Sequence, residues 1–320
     1  NYSCNFSIGP QMTDFNKIAI LDLSGPHQNV VSKFADTYST AGFAYIKNHG
    51  IPQSLIDATF EASKNFHRLN ETEKQTILLD KNHRGYIPIN TSTDVNSKLA
   101  DVKKPNQSSS FMMMRESDKK ASEYLSGPNQ WPNIIGFRET LNTYSKQMST
   151  LGRCLISIAA EACKASPSEL MPAFNFPTTW LRLLHYPPSP ILSPDDLYGS
   201  APHTDFGALT LLAQDGIGGL QVQTPHGDWI DVPKIDGTFV VNVGDMLNRL
   251  SNGFLKSTPH RVINRSGKER YSIPFFFDPH VNTIIKPLKG TGNPNFEPLH
   301  FGEFLCSELG ANYDNHKKNS

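Results

Sequence analysis

His203, Thr204 and Asp205 stand together in the second half of the chain, and His260 follows much further on. An imidazole and a carboxylate two positions apart on a strand point to the same face. Both can then reach one metal ion, with His260, near the start of a later apolar run, as a third ligand. Two imidazoles and one carboxylate occupy one side of a metal and leave the other side open. That donor set suits Fe(II) that has to take O2 and a chelating organic molecule together. A solitary His-x-Asp reads equally well as a turn histidine followed by an Asx-turn aspartate; what distinguishes this one is its company.

Arg270 comes ten residues after His260, in Arg270-Tyr271-Ser272. Strand alternation places Arg270 and Ser272 on one face. A planar guanidinium beside a hydroxyl is a receptor for a carboxylate, with paired hydrogen bonds from the arginine. Three further residues are candidates for contact with a substrate. Arg182 shares the parity of Tyr186 and so can project to the interior, with a buried ion pair as the rival reading. Phe111 opens the apolar patch Phe111-Met112-Met113-Met114, which suits an irregular pocket wall as well as a core. Phe206 adjoins Asp205. His185 falls on the face opposite Tyr186, and Asp245 reads as a turn former.

The elements that must carry these residues differ between the two halves. The first half reads as helix-rich with an early pair of strands, 18–23 and 42–47. Between the strands, Val30, Val31, Phe34 and Tyr38 recur at helical spacing, and a second helix begins at Pro52. A short helix over 71–79 follows, then a polar excursion over 90–130. In the segment 136–165, Phe137, Leu141, Tyr144, Met148, Leu151, Leu155 and Ile158 form one amphipathic stripe. From residue 179 onward, short β-type runs alternate with Pro, Gly and Asp turns: 180–186, 208–213, 219–223, 229–232, 238–243, 260–264, 271–277 and 281–286. That pattern suits a jelly roll, with the helical region packed on its outside.

Composition narrows the function classes. Lys plus Arg total 30 and Asp plus Glu total 30 among 320 residues, so the formal net charge is zero. That argues against a nucleic-acid or anionic-membrane partner. No run approaches the roughly 20 apolar residues of a membrane span. The four cysteines, Cys4, Cys154, Cys163 and Cys306, have no metal-finger spacing and read as reduced thiols of a cytoplasmic protein. Residues 1–11 read as a leader or remnant before Met12, residues 12–135 as an N-terminal region, and residues 136–320 as a helix and roll joined to it in one unit.

The ordered motifs resemble the isopenicillin N synthase-like branch of the Fe(II)/2-oxoglutarate dioxygenases. The likeness runs from about Ile18 to Pro287. It rests on Lys47-Asn48-His49-Gly50-Ile51-Pro52, Gly85-Tyr86, Gly127-Pro128-Asn129-Gln130-Trp131-Pro132 and His185-Tyr186-Pro187-Pro188. It continues in His203-Thr204-Asp205-Phe206-Gly207, Gly218-Gly219-Leu220-Gln221-Val222, Asn242-Val243-Gly244-Asp245, Thr258-Pro259-His260-Arg261-Val262 and Arg270-Tyr271-Ser272. The resemblance implies a double-stranded β-helix, a distorted jelly roll flanked by helices. It implies Fe(II) on His203, Asp205 and His260, and 2-oxoglutarate held at its distal carboxylate by Arg270, Ser272 and Tyr186. O2 would be the oxidant and ascorbate an optional accessory. The implied reaction is hydroxylation or desaturation of a small organic molecule, with succinate and CO2 released. Leu184 departs from the Asn that plant members often carry two residues before the tyrosine. The rivals are an oxidase of the same fold that needs no 2-oxoglutarate, a zinc hydrolase and a non-catalytic jelly-roll binding protein.

Overall fold

Burial of Val30, Phe34 and Tyr38 down one side makes α1 (His27–Thr40) a lid on the first strands, β1 (Ala19–Asp22) and β2 (Phe43–Lys47). The computed structural model of the chain describes residues 16–93, 99, 102, 104–116, 123–189, 194 and 196–313; the proposed leader, 1–11, and Cys4 lie outside them. In α2 (Gln53–His67), Pro52 is the cap residue rather than the first helical one. The next helix, α3 (Glu71–Gln75), starts on a reciprocal Asn70–Glu73 capping box. It is shorter than the sequence suggests, because the backbone from Ile77 to Leu79 turns to bond with Tyr86 in β3 (Gly85–Ile87).

The polar excursion holds a strand the sequence hides. All six residues of β4 (Ser109–Met114) are buried, so no polar alternation announces it. Beyond it, α4 (Phe137–Ala162) buries every residue of the predicted stripe. A Cβ on Gly152 would meet the Phe277 ring at 2.6 Å, so this glycine lets α4 lie close on the sheet. The short α5 (Pro167–Leu170) leads into the roll.

The roll has a major and a minor sheet. The remaining strands are β5 (Thr178–Tyr186), β6 (Ser200–His203), β7 (Leu209–Gln214), β8 (Leu220–Gln223), β9 (Trp229–Asp231), β10 (Thr238–Val243), β11 (His260–Val262) and β12 (Arg270–Asp278). The major sheet runs β1-β2-β10-β7-β12-β5-β4-β3 and the minor one β6-β11-β8-β9. Because β2 pairs with β10, the first and second halves share one sheet. Helices α1, α2 and α4 cover one face of the major sheet over a large core. A smaller core, with Phe43, Tyr186, Val222 and Val262, lies inside the roll.

Further elements escape the sequence reading. The strand β6 contains Pro202, which suits only an edge position, the place it holds in the minor sheet. The helix α6 (Asp245–Leu250) begins where a turn was expected. At the end, 281–286 shrinks to β13 (Ile284–Ile285), paired with β14 (Leu299–His300), which leads into α7 (Phe301–Asn312). Among the described residues, no helix is long and apolar enough to cross a membrane.

Candidate active site

The two histidines meet because β6 and β11 pair with His203 directly opposite His260. Asp205 reaches them differently from the expected strand alternation, since β6 ends at His203. The turn after it is held in place by the Asp245 N–H, which donates to the Asp205 carbonyl over 2.8 Å. The ligand atoms of the three residues lie within 4.8 Å of one another. Each histidine Nε2 is 3.6 Å from Oδ1 of Asp205.

The surroundings fix which atoms face the centre. Nδ1 of His203 is 2.7 Å from the Ala201 carbonyl, and Nδ1 of His260 is 3.2 Å from that of Thr258. A carbonyl accepts only, so Nδ1 carries the proton in each ring and Nε2 presents its lone pair toward Asp205. On the far side of the carboxylate, Oδ2 accepts from Thr210 Oγ1 over 2.5 Å and from Asn242 Nδ2 over 2.7 Å. Burial alone would raise the Asp205 carboxyl, but His260, His203 and Asn242 outweigh it and hold it below the ordinary carboxylate range. Two imidazole nitrogens and one anionic oxygen, each braced from behind, fit a divalent iron.

The sequence reading underrates Asp245. It is the first residue of α6 and accepts from Thr204 Oγ1 over 3.2 Å and Ser257 Oγ over 2.6 Å. Those two hydroxyls sit on the segments that deliver Asp205 and His260. Asp245 is therefore a strut between them, not a turn former.

Arg270 opens β12 opposite Tyr186 of β5, and it is only 1 % exposed. Its Nε donates to the Gly218 carbonyl over 2.7 Å, Nη1 to Ser272 Oγ over 3.2 Å and Nη2 to Gln214 Oε1 over 3.3 Å. The guanidinium carbon lies 4.6 Å from the centre of the Tyr186 ring. Among the described residues, Arg270 makes no ion pair with an acid. Gln214 and Gly218 were missed as members of this group; the register that puts Gln214 beside Ser272 shows only once β7 and β12 are paired.

A cavity of about 110 Å³ opens beside His203 and Asp205. Its walls include Trp180, Arg182, Phe206, Phe276, Asp278 and Tyr313. Arg182 and Phe206, two of the three candidates for substrate contact, line this cavity. Phe111 does not. Alternation along β4 sends Met112 into the cavity and turns Phe111 toward the helices, where its ring centre is 5.1 Å from that of Phe66 and 5.2 Å from that of Phe137. Asp278 also went unnoticed in the sequence. Burial pushes its carboxyl up to about 7, against the lowering effect of the Ala208 N–H, which donates to Oδ1 over 2.7 Å. A Cβ on Gly207 would fall 1.7 Å from that same oxygen, so only glycine leaves room for it.

Comparison with known proteins gives a consistent picture. Residues 177–279 match the 2OG-Fe(II) oxygenase superfamily, and residues 14–134 match the non-haem dioxygenase N-terminal family described from morphine synthesis. The 2-oxoglutarate-Fe(II) type oxidoreductase hxnY of Emericella nidulans is 34 % identical over 310 residues, covering 91 % of this chain and 86 % of that protein. The homoarginine-6-hydroxylase 2-ODD-C23 of Glycine max is 31 % identical over 333 residues, covering 94 % of this chain and 98 % of that protein. The crystal structure of a full-length Neurospora crassa protein in complex with alpha-KG and thymine superposes with a TM-score of 0.81 at 29 % identity, covering 92 % of this chain and 96 % of that one.

Proposed function

Because the chain belongs to the 2OG-Fe(II) oxygenase superfamily and is an Fe(II)- and 2-oxoglutarate-dependent oxidoreductase, we propose that His203, Asp205 and His260 hold the iron. Arg270 and Ser272, with Gln214 and Tyr186, take the distal carboxylate of 2-oxoglutarate. The reaction is hydroxylation or desaturation of a small organic molecule seated in the cavity beside His203 and Asp205. The observation that carries this reading is the buried Arg270 with no acidic partner among the described residues, on the sheet that faces the His-Asp-His cluster.

When bound, the iron supplies the O2 chemistry that converts 2-oxoglutarate to succinate and CO2 and oxidises a substrate C–H bond. The chain's own residues orient and exclude. The Ala201 and Thr258 carbonyls keep both imidazoles in one tautomer. Thr210 and Asn242 occupy one oxygen of Asp205 and leave the other to the metal side. Gly218 fixes Arg270 through Nε, so its other two nitrogens meet the cosubstrate edge-on. Trp180, Phe206 and Phe276 keep water from the reacting carbon. Named relatives that act on homoarginine or bind thymine support a small-molecule substrate. The free Cys154, Cys163 and Cys306 support a cytoplasmic location, which cell fractionation would check.

The test is anaerobic titration of the Fe(II)-loaded protein with 2-oxoglutarate, followed by O2 and an assay for succinate. A weak visible charge-transfer band and succinate formation are expected, and both should vanish in His203→Ala, Asp205→Ala and His260→Ala. Substrate-driven O2 uptake that needs no 2-oxoglutarate would instead identify an oxidase of the same fold.

A further inference from the structure

Arg182 lies mid-strand in β5, on the face it shares with Trp180 and Tyr186, and borders the cavity. Its Nε donates to Ser110 Oγ over 2.9 Å, and Nη1 lies 3.4 Å from the Tyr313 hydroxyl. Both partners are neutral. Among the described residues, no acid pairs with it. The acids of the cavity are committed elsewhere: Asp205 belongs to the metal cluster, and Asp278 takes the Ala208 N–H. Asp278 sits opposite Thr178, four residues along β5 from Arg182, roughly 13 Å away at about 3.3 Å per residue. The Trp180 and Phe276 rungs come between them.

Arg182 is half-buried against the aromatic wall of the cavity, so its guanidinium has lost part of its hydration, and a carboxylate restores that loss best. In the proposed arrangement Arg270 finds its counter-charge in the cosubstrate; among the described residues Arg182 has no acid in that role. Its Nη1 and Nη2 remain as an edge that matches a carboxylate in plane. We propose that Arg182 selects the substrate by binding its carboxylate, so that the enzyme acts on small organic acids. The carbon skeleton then lies along Trp180, Phe206 and Phe276, with the reacting C–H turned toward His203 and Asp205. This rests on the reading of the metal and cosubstrate centre given above.

The experiment uses the Fe(II) protein under anaerobic conditions, saturated with 2-oxoglutarate so that the Arg270 receptor is filled. Phenylacetate, hexanoate and their primary amides are titrated by calorimetry. At least one acid should bind about 10- to 150-fold more tightly than its amide, the range set by one charge-assisted hydrogen bond. Arg182→Gln should abolish the preference, and Arg182→Lys should keep part of it. Affinity for 2-oxoglutarate should stay unchanged in both variants. Equal binding of acid and amide by the wild type, no binding of either acid, or a preference that survives in Arg182→Gln would overturn the proposal. Wild-type protein that fails to bind 2-oxoglutarate would overturn the reading of the centre and this inference with it. Intact 2-oxoglutarate binding without an acid preference would overturn this inference alone.

Discussion

Thr204 and Ser257 are tied together through one carboxylate: both donate their hydroxyls to Asp245, one to each oxygen. Thr204 stands between two members of the His-Asp-His cluster, and Ser257 lies three residues before the third. The cluster is thus assembled by a residue that is not part of it. Removing such a supporting group typically lowers metal affinity by about 10- to 100-fold. Asp245→Ala should weaken Fe(II) binding by that order while circular dichroism stays native. Asp245→Asn, which keeps one acceptor oxygen, should lose less. Unchanged iron affinity in Asp245→Ala would show that the two segments hold their places without the strut.

Arg270→Lys tests the cosubstrate receptor. Lysine retains the charge but cannot donate to Gly218, Ser272 and Gln214 while also presenting a planar edge. Loss of one charge-assisted hydrogen bond corresponds to about 10- to 150-fold in affinity. The Michaelis constant for 2-oxoglutarate should rise by that factor, with iron content near normal. Ser272→Ala should shift it less, because its hydroxyl is neutral. An unchanged constant in Arg270→Lys would place the receptor elsewhere.

Phe111 belongs to the core rather than to the cavity, and the two placements predict different phenotypes. It is completely buried among Phe66, Trp131 and Phe137. Phe111→Ala should cost about 3–5 kcal/mol of stability, seen as a lower urea midpoint. The Michaelis constant for 2-oxoglutarate should not move in the protein that remains folded. A stable variant with altered substrate choice would return Phe111 to the cavity.

His67 gives the fold a dependence on pH. Burial holds its imidazole down to about 3 from the ordinary 6.5, helped by the nearby His185 and opposed by the Leu183 carbonyl. The unfolded chain takes a proton on this ring below about 6.5, whereas the folded chain stays neutral until about 3. The stabilisation is therefore complete above 6.5 and is lost progressively as pH falls toward 3. The slope is at most about 1.4 kcal/mol per pH unit. Stability measured between pH 7 and 5 should fall less steeply in His67→Gln than in the wild type. Parallel profiles would mean that this ring is protonated in the native state.

How far the sequence revealed the molecule depends on what each residue needs in order to be recognised. The α4 stripe was plain because seven apolar residues repeat with helical spacing and all are buried. His203, Asp205 and His260 stood out in the sequence as possible ligands, as did Arg270 and Ser272 as a polar pair on one strand face, and the structure brings the members of each set together. Gln214, Asn242 and Asp278 did not stand out, since an amide or acid gains meaning only from the strand beside it. Asn242 comes next to Thr210 through the pairing of β10 with β7, and no local pattern encodes that contact. The strand β4 stayed hidden for the opposite reason: buried on both faces, it shows no period at all.

On the proposed assignment, the cluster in which Arg270 donates to Ser272 and Gln214 grips only the end of the cosubstrate that the reaction leaves untouched. Succinate keeps that end when CO2 departs. Nothing in the Arg270, Ser272 and Gln214 cluster distinguishes the spent molecule from the fresh one, so discrimination falls to the other end, at the metal. Product therefore competes for the same seat, and turnover slows as succinate accumulates over 2-oxoglutarate. Added succinate should raise the apparent Michaelis constant for 2-oxoglutarate and leave kcat unchanged, and a fall in kcat alone would contradict this. With that assignment, and with succinate well above its own inhibition constant, output would follow the ratio of the two dicarboxylic acids rather than the amount of either.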